Sequence, residues 1–424
     1  MNTPRLRLVR LAPDPLGLYI RAGRIGSKDL QNFIASGVTA FNGVVFEAKR
    51  LNTQRELLSL VIDKGLDAVL DPQTQAMATP GGYTANMAKL PWGSNAQQTV
   101  ADFSSPFLQK QIAESIAEFA ISNGFTQVLS PTHFISGPDD PWLPIDLAMT
   151  KLLRNALDRK GGAKVEVQYS LATTYVTFRT KDVRQKIVSQ LATASINGLW
   201  LNISGCGSDS SPTAITRYAE AATDFHALSI PIIADHAGGL MGLSLLAFGA
   251  VGGLSHGITG GERFDVTSWF NPSTSPSFGQ KPRIYISNLD LLIEKVDAEK
   301  FFEAGGGRAK TAFGCRNTNC CHRGVDDMLQ APIRHYLFQR MNQVAGLGRI
   351  PESLRSGQFL EETVRPASDV ALLAKKFTLP EKLERKIDKQ AKRLNDLRTT
   401  LGPYARERRD ASFARHPILR VARG

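Results

Sequence analysis

Apolar residues fall along this chain in two alternating patterns. Short unbroken runs rich in Val, Ile, Leu and Phe read as strands, and stretches with apolar residues every three or four positions read as amphipathic helices. Strands are predicted at residues 16–22, 38–46, 68–71, 126–129, 165–171, 198–203, 230–234 and 252–256. Helices are predicted between them at 27–36, 53–64, 107–122, 143–159, 181–194, 212–226 and 240–248.

Strand and helix alternating eight times imply a parallel sheet. The strands are apolar throughout rather than alternating with polar residues, as expected when both faces are covered. Eight strands are the number that closes a β/α barrel, so the fold class expected is α/β, a (β/α)8 TIM-type barrel over residues 1–268. A second region follows at 269–350, beginning with the Pro/Ser-rich stretch 271–279 and a short strand at 284–286. Helices are expected at 297–303 and 327–344, the latter with Ile333, Leu337, Met341 and Val344 on one stripe. Residues 351–424 form a basic helical extension. In it Leu383, Ile387, Ala391 and Leu394 share one face and Lys382, Arg385, Lys386, Lys389, Lys392 and Arg393 lie on the other.

Composition is that of an ordinary globular chain, with 42% hydrophobic and 21% charged among 424 residues. No apolar run is long enough to cross a membrane and the first ten residues hold no apolar leader, so a cytoplasmic protein is expected. Charge adds one feature. Of the net +12, +9 lies in residues 371–424, which carry 15 Lys/Arg against 6 Asp/Glu. A basic patch concentrated in one segment suits a polyanion, and tRNA or DNA is the partner expected for this tail.

In such a barrel, reactive groups stand at the C-terminal ends of the strands. Arg21, Glu47, Asp71, His133, Gln168, Tyr169, Asn202, Ser204, Asp235, His236, Ser255 and His256 occupy those positions. Asp71 precedes Pro72, which disfavours helix at Asp71 and holds its carboxylate at the strand end. Asp235 and His236 put an acid and an imidazole after the seventh strand, a pairing suited to proton transfer. Adjacent strand residues face opposite ways, so one of the two is expected to face the mouth. Asp71, Asp235 and His236 are the catalytic candidates. Gly238 and Gly239, with Ser255 and His256 of the Ser255–Gly261 loop, are the substrate-binding candidates, since glycine loops let a backbone approach a phosphate.

Three of the four cysteines lie within seven residues: Cys315, Cys320 and Cys321. With His335 or His322 they supply four ligands for a tetrahedral, structural Zn2+ site. His335 is favoured, because His322 directly follows Cys321.

These parts resemble the tRNA-guanine transglycosylases, in the barrel, the late Cys/His cluster Cys315, Cys320, Cys321 and Arg334-His335-Tyr336-Leu337, and the run from Gly238-Gly239 to Leu254. The resemblance spans roughly residues 60–350 and implies binding of tRNA or DNA with guanine or deazaguanine exchange at the mouth, as in queuosine formation. Three departures accompany it. The cysteines are spaced C-x4-C-C, the family's glycine-rich motif around its early-strand aspartate is replaced by Asp71-Pro72-Gln73-Thr74, and no carboxylate follows the eighth strand, where Ser255-His256 stand instead. Base exchange needs a nucleophile of that kind. Two other readings fit the residues: a small-molecule barrel enzyme binding a phosphate or flavin, and a catalytically silent barrel that binds a protein partner in antiviral defence.

Overall fold

The computed structural model describes residues 15–37, 40–80, 85–271, 283–407 and 413–417. Eight parallel strands form a closed barrel: β1 (Gly17–Ala22), β2 (Gly43–Glu47), β3 (Asp67–Asp71), β4 (Gln127–Leu129), β5 (Glu166–Thr174), β6 (Gly198–Ser204), β7 (Ile232–Asp235) and β8 (Gly253–His256). Each strand pairs with its sequence neighbour, and β8 pairs with β1 at Leu18 and Leu254, so the ring has no edge. The fold class expected from sequence is therefore confirmed. Of the second predicted strand, residues 38–39 lie outside the described residues, and the pairing segment sits toward its end.

Seven helices follow in the barrel's outer ring: α1 (Ser27–Ala35), α2 (Arg55–Asp63), α3 (Pro106–Ser122), α4 (Trp142–Arg159), α5 (Lys181–Leu191), α6 (Pro212–Asp224) and α7 (Gly239–Ala247). The chain then leaves the barrel for a hairpin, β9 (Arg283–Ile286) and β10 (Leu291–Glu294), and helix α8 (Lys295–Phe313). It returns with α9 (Pro332–Gly348), which packs on α1, α7 and β1 in the place of an eighth barrel helix. The single helix predicted at 327–344 is two, because Pro332 lacks the N–H that would continue Val325–Gln330 and instead opens α9. Ile333, Leu337, Met341 and Val344 are all buried, as their stripe requires.

The barrel interior is layered. Tyr19, Val45, Val69, Leu129, Trp200 and Ile233 form a closed apolar cluster of their own, separate from the larger core beneath the helices. Strand side chains alternate, so the residues two positions on face the same interior one layer nearer the mouth. Those residues are Arg21, Glu47, Asp71, Asn202 and Asp235. The interior thus changes from apolar to charged in one layer.

The basic extension ends in helix α10 (Glu381–Glu407), which packs along α6 and the helix Arg365–Ala374. Its stripe Leu383, Ile387, Ala391 and Leu394 is buried, while Lys382, Arg385, Lys389 and Lys392 are exposed. Residues 413–417 return to the strand-start end of the barrel. There Ala414 donates to the Gly249 carbonyl at 2.9 Å, and Arg415 bridges Pro231. The predicted linker at 271–279 lies outside the described residues from 272 on. Among the described residues no helix is long and apolar enough to cross a membrane.

Candidate functional site

Arg21 stands at the centre of the mouth. Its Nε donates to Asp235 Oδ1 at 2.8 Å, its Nη2 to Asp235 Oδ2, and its Nη1 to Asp71 Oδ2 at 2.8 Å. All three residues are buried. Gln73 N donates to Asp71 Oδ1 and His236 N to Asp235 Oδ1, each at 2.9 Å. Burial works to raise the Asp235 pKa, but Arg21 and His236 outweigh it and hold the carboxyl below its ordinary value. The group is a persistent carboxylate, suited to electrostatic work rather than to giving up a proton. The structure thus brings Asp71 and Asp235 together through an arginine.

His236 leaves the strand in a left-handed conformation, φ 53°. Its Nδ1 lies 3.3 Å from the Gly261 carbonyl, and burial lowers its pKa, which favours the neutral ring. Ser255 lies in register with Asp235 and is buried beside it. His256, one residue on, faces the other way. Its Nδ1 meets the Tyr336 hydroxyl of α9 at 3.2 Å, so it belongs to the packing of α9 rather than to the interior layer.

The glycine loop after β7 has an occupant. Leu240 N, in the first turn of α7, donates to Asp290 Oδ2 at 2.8 Å. Gly239 has φ 63°, and a Cβ there would lie 2.8 Å from the same carboxylate, while one on Gly238 would lie 2.5 Å from Glu262 Oε1. The helix N-terminus that such loops offer to a phosphate is filled here by the protein's own Asp290. Arg340 of α9 secures both acids, reaching Glu262 Oε1 at 2.8 Å and Asp290 Oδ1 at 3.3 Å, with its guanidinium over the Tyr285 ring.

A further pair lies after β4. His133 Nδ1 is 2.6 Å from Asp146 Oδ1, and His133 N donates to Asp146 Oδ2 at 2.7 Å. Trp142 stacks on the imidazole and Phe103 meets it edge-on. Burial raises the Asp146 pKa against the pull of His133. His133 Nε2 is buried with no hydrogen-bond partner among the described residues. His133 stands among the strand-end residues read from sequence, but its partner on a helix thirteen residues on carries no sequence signal of its own.

Between the loops after β1 and β2 lies a cavity of about 650 Å³, lined by Arg24, Lys28, Arg50 and Arg55 among others, at the first turns of α1 and α2. Among the described residues Glu56 is its one lining acid.

The Cys/His cluster is assembled by α8, the loop after it and α9. Ligand atoms of Cys315, Cys320, Cys321 and His335 all lie within 4.8 Å of one another. The sulfurs of Cys320 and Cys321 are 3.6 Å apart, and each is 3.4 Å from His335 Nδ1. Sulfur and nitrogen ligands of a tetrahedral zinc stand roughly 3.5–3.8 Å apart, so the donors fit such an ion. The cysteines are free thiols rather than disulfides. Hydrogen bonds from Cys320 and Cys321 push the Cys315 pKa down, and the Cys320 thiol is pushed up to about 12 by Cys315. His335 Nε2 faces the Tyr285 carbonyl at 3.0 Å, which leaves Nδ1 for a metal, the second partner that metal-binding histidines ordinarily have. His322 is exposed and stands outside the cluster.

No family model matches the chain, and no curated protein matches it. Solved structures do. A protein described as a phosphonomutase from Burkholderia cenocepacia J2315 is 17% identical over 58% of this chain and 88% of its own, with a TM-score of 0.34. A GH18 chitinase from Pseudoalteromonas aurantia is 11% identical over 58% and 94%, TM-score 0.35. A GH10 xylanase from Bispora sp. MEY-1 is 12% identical over 57% and 82%, TM-score 0.35. The resemblance to the tRNA-guanine transglycosylases is corrected: no family model matches the chain. The site agrees with the correction. Asp71 is tied to Arg21, and β8 ends in Ser255-His256 without a carboxylate.

Proposed function

We propose that this chain is a barrel enzyme whose reaction centre is the Arg21–Asp71–Asp235 group, and that it takes an anionic, phosphate-bearing substrate at the mouth. The observation that carries this reading is the burial of three charges at the strand ends. Desolvating an ion costs several kcal/mol even after relaxation, and apolar packing of the same volume often serves stability as well or better. Such costs concentrate where chemistry needs fixed charge. Three of the five guanidinium N–H groups are used on the two carboxylates, which leaves two for a substrate oxyanion. The cavity with Arg24, Lys28, Arg50 and Arg55, between the loops after β1 and β2, offers a seat for the phosphate. His133, oriented by Asp146 and with Nε2 unpartnered among the described residues, is the proton carrier in this reading.

The metal proposed for Cys315, Cys320, Cys321 and His335 is Zn2+. Four protein ligands leave no open position, so its role is structural. The exposed basic face of α10 supports a second reading, in which tRNA or DNA is bound there, and a salt series would give a steep loss of affinity.

The test of the reaction centre is mass spectrometry of a cell-extract metabolite and nucleic-acid pool after incubation with the protein. A product formed by the wild type and absent with Arg21→Met and with His133→Gln, each checked for folding by circular dichroism, is expected. A pool left unchanged by the wild type, or a product made equally by both variants, would sink the reading.

A further inference from the structure

The strand-start end of the barrel is closed by the chain itself. Residues 413–417 lie across the turn between α7 and β8 and over the first residue of β1. Three glycines form the seat. A Cβ on Gly249 would overlap the Phe413 ring, one on Gly252 the Arg415 carbonyl, and one on Gly17 the Pro417 ring. In each case the atoms met first belong to the segment. The barrel surface is therefore shaped to these five residues, not merely covered by them.

Polar contacts set the register. Ala414 N donates to the Gly249 carbonyl at 2.9 Å, Arg415 bridges Pro231 just before β7, and His416 Nε2 lies 2.8 Å from Glu352 Oε1. Ala414 and Pro417 are buried, while Arg415 is exposed. Pro417 borders a cavity of about 130 Å³ whose lining includes Tyr19, Trp200 and Ile233. Those three belong to the closed apolar cluster of the barrel interior. Tyr19 stands two residues before Arg21, and Ile233 two before Asp235. Pro417 thus meets the underside of the layer on which the Arg21 clamp rests.

Few contacts hold the segment. One backbone hydrogen bond, one bridge, the partly exposed His416–Glu352 contact and the packing of Phe413 and Pro417 each contribute little net free energy. Ordering five residues costs backbone entropy of similar size. Such a balance favours docking and still permits release.

We propose that residues 413–417 are a detachable plug. Docked, they brace the apolar layer beneath Arg21 and Asp235; released, they open the barrel floor. The occupant of the seat is this chain's own segment, and nothing in the device depends on the mouth being a reaction centre.

The experiment is trypsin digestion of the full chain under native conditions, with cleavage after Arg415 followed by mass spectrometry. Each rate is taken relative to the same sequence as a free peptide. When opening is fast, cleavage follows the population of the open form. Wild type should be cut after Arg415 at least tenfold more slowly than Gly252→Ala and Pro417→Gly, yet sooner than at any bond within the barrel strands. Gly252→Ala acts from the seat and Pro417→Gly from the plug, so either reads the result if the other fails to fold by circular dichroism. Gly357→Ala, where a Cβ meets nothing, should match wild type. Hydrogen exchange of the β1 amides should rise in both plug variants. Four outcomes overturn the proposal. Wild-type cleavage at the free-peptide rate would show no docking, and cleavage no faster than that of the barrel bonds would show no release. Unchanged β1 exchange in both variants would remove the brace. Protection that falls on dilution would put a second copy's segment in the seat.

Discussion

Arg21 lies 2.8 Å from Asp71 and 2.8 Å from Asp235, although the two acids are separated from it by 50 and 214 residues in sequence. One guanidinium therefore ties β1 to β3 and to β7 across the barrel interior. Replacing it by an apolar residue leaves two buried carboxylates facing each other. Arg21→Met is expected to lower unfolding free energy by about 3–5 kcal/mol, the usual result of removing one partner of a buried ion pair. Urea denaturation at neutral pH measures it, and a change under 1 kcal/mol would mean that the clamp is not formed in solution.

The same clamp sets a pH dependence. The folded pKa of Asp235 lies below the unfolded value of roughly 3.9. Its stabilisation is therefore fully present above the unfolded value and lost as pH falls through the folded one. Asp235→Asn should be less stable than wild type at pH 7, and the gap should narrow as the pH falls below about 4. A gap of constant size over that range would show that Asp235 does not titrate in this way.

The cysteine cluster predicts metal content. Protein purified under reducing conditions without chelator is expected to carry one zinc per chain, and Cys320→Ser close to none. Elemental analysis decides both. Chelation should also lower the melting temperature, since binding to the folded site alone stabilises it by mass action.

Gly238 has a steric role. A Cβ there would lie 2.5 Å from the Glu262 carboxylate, whose oxygens are fixed by Arg340 and Tyr336. Gly238→Ala is expected to cost about 1–3 kcal/mol, as overpacking of a fixed neighbour does. Glu262→Ala would open the space and leave Arg340 without that partner, so the double variant should not recover wild-type stability in a thermal melt.

Much of the barrel was legible because each strand buries both faces and so appears as an unbroken apolar run. The cluster was legible because three cysteines fall within seven residues and His335 opens a helix. What stayed hidden are the partners brought in by the tertiary fold. Arg21 could be placed at a strand end, but nothing local shows that it joins the two acids. Gly238 and Gly239 suggested a phosphate loop, because a loop sequence does not reveal that Asp290, fifty residues from Leu240, reaches the same N–H. Asp146 and Arg340 sit within helices, where a buried charge looks like any surface residue.

Helix α9 carries His335 and Tyr336 side by side, the first in the cysteine cluster and the second against His256 and Glu262. It also stands in the eighth helical place of the barrel, 76 positions beyond the end of β8 by residue number. The last wall of the barrel therefore arrives only after the hairpin, α8 and the cysteine loop have been made. The contacts of α9 with α1 and β1 therefore join segments about 300 residues apart, and contacts of such separation slow folding. A metal ion held by Cys315, Cys320, Cys321 and His335 would brace the helix that completes the outer wall, so its removal is expected to loosen α9 against α1 and β1.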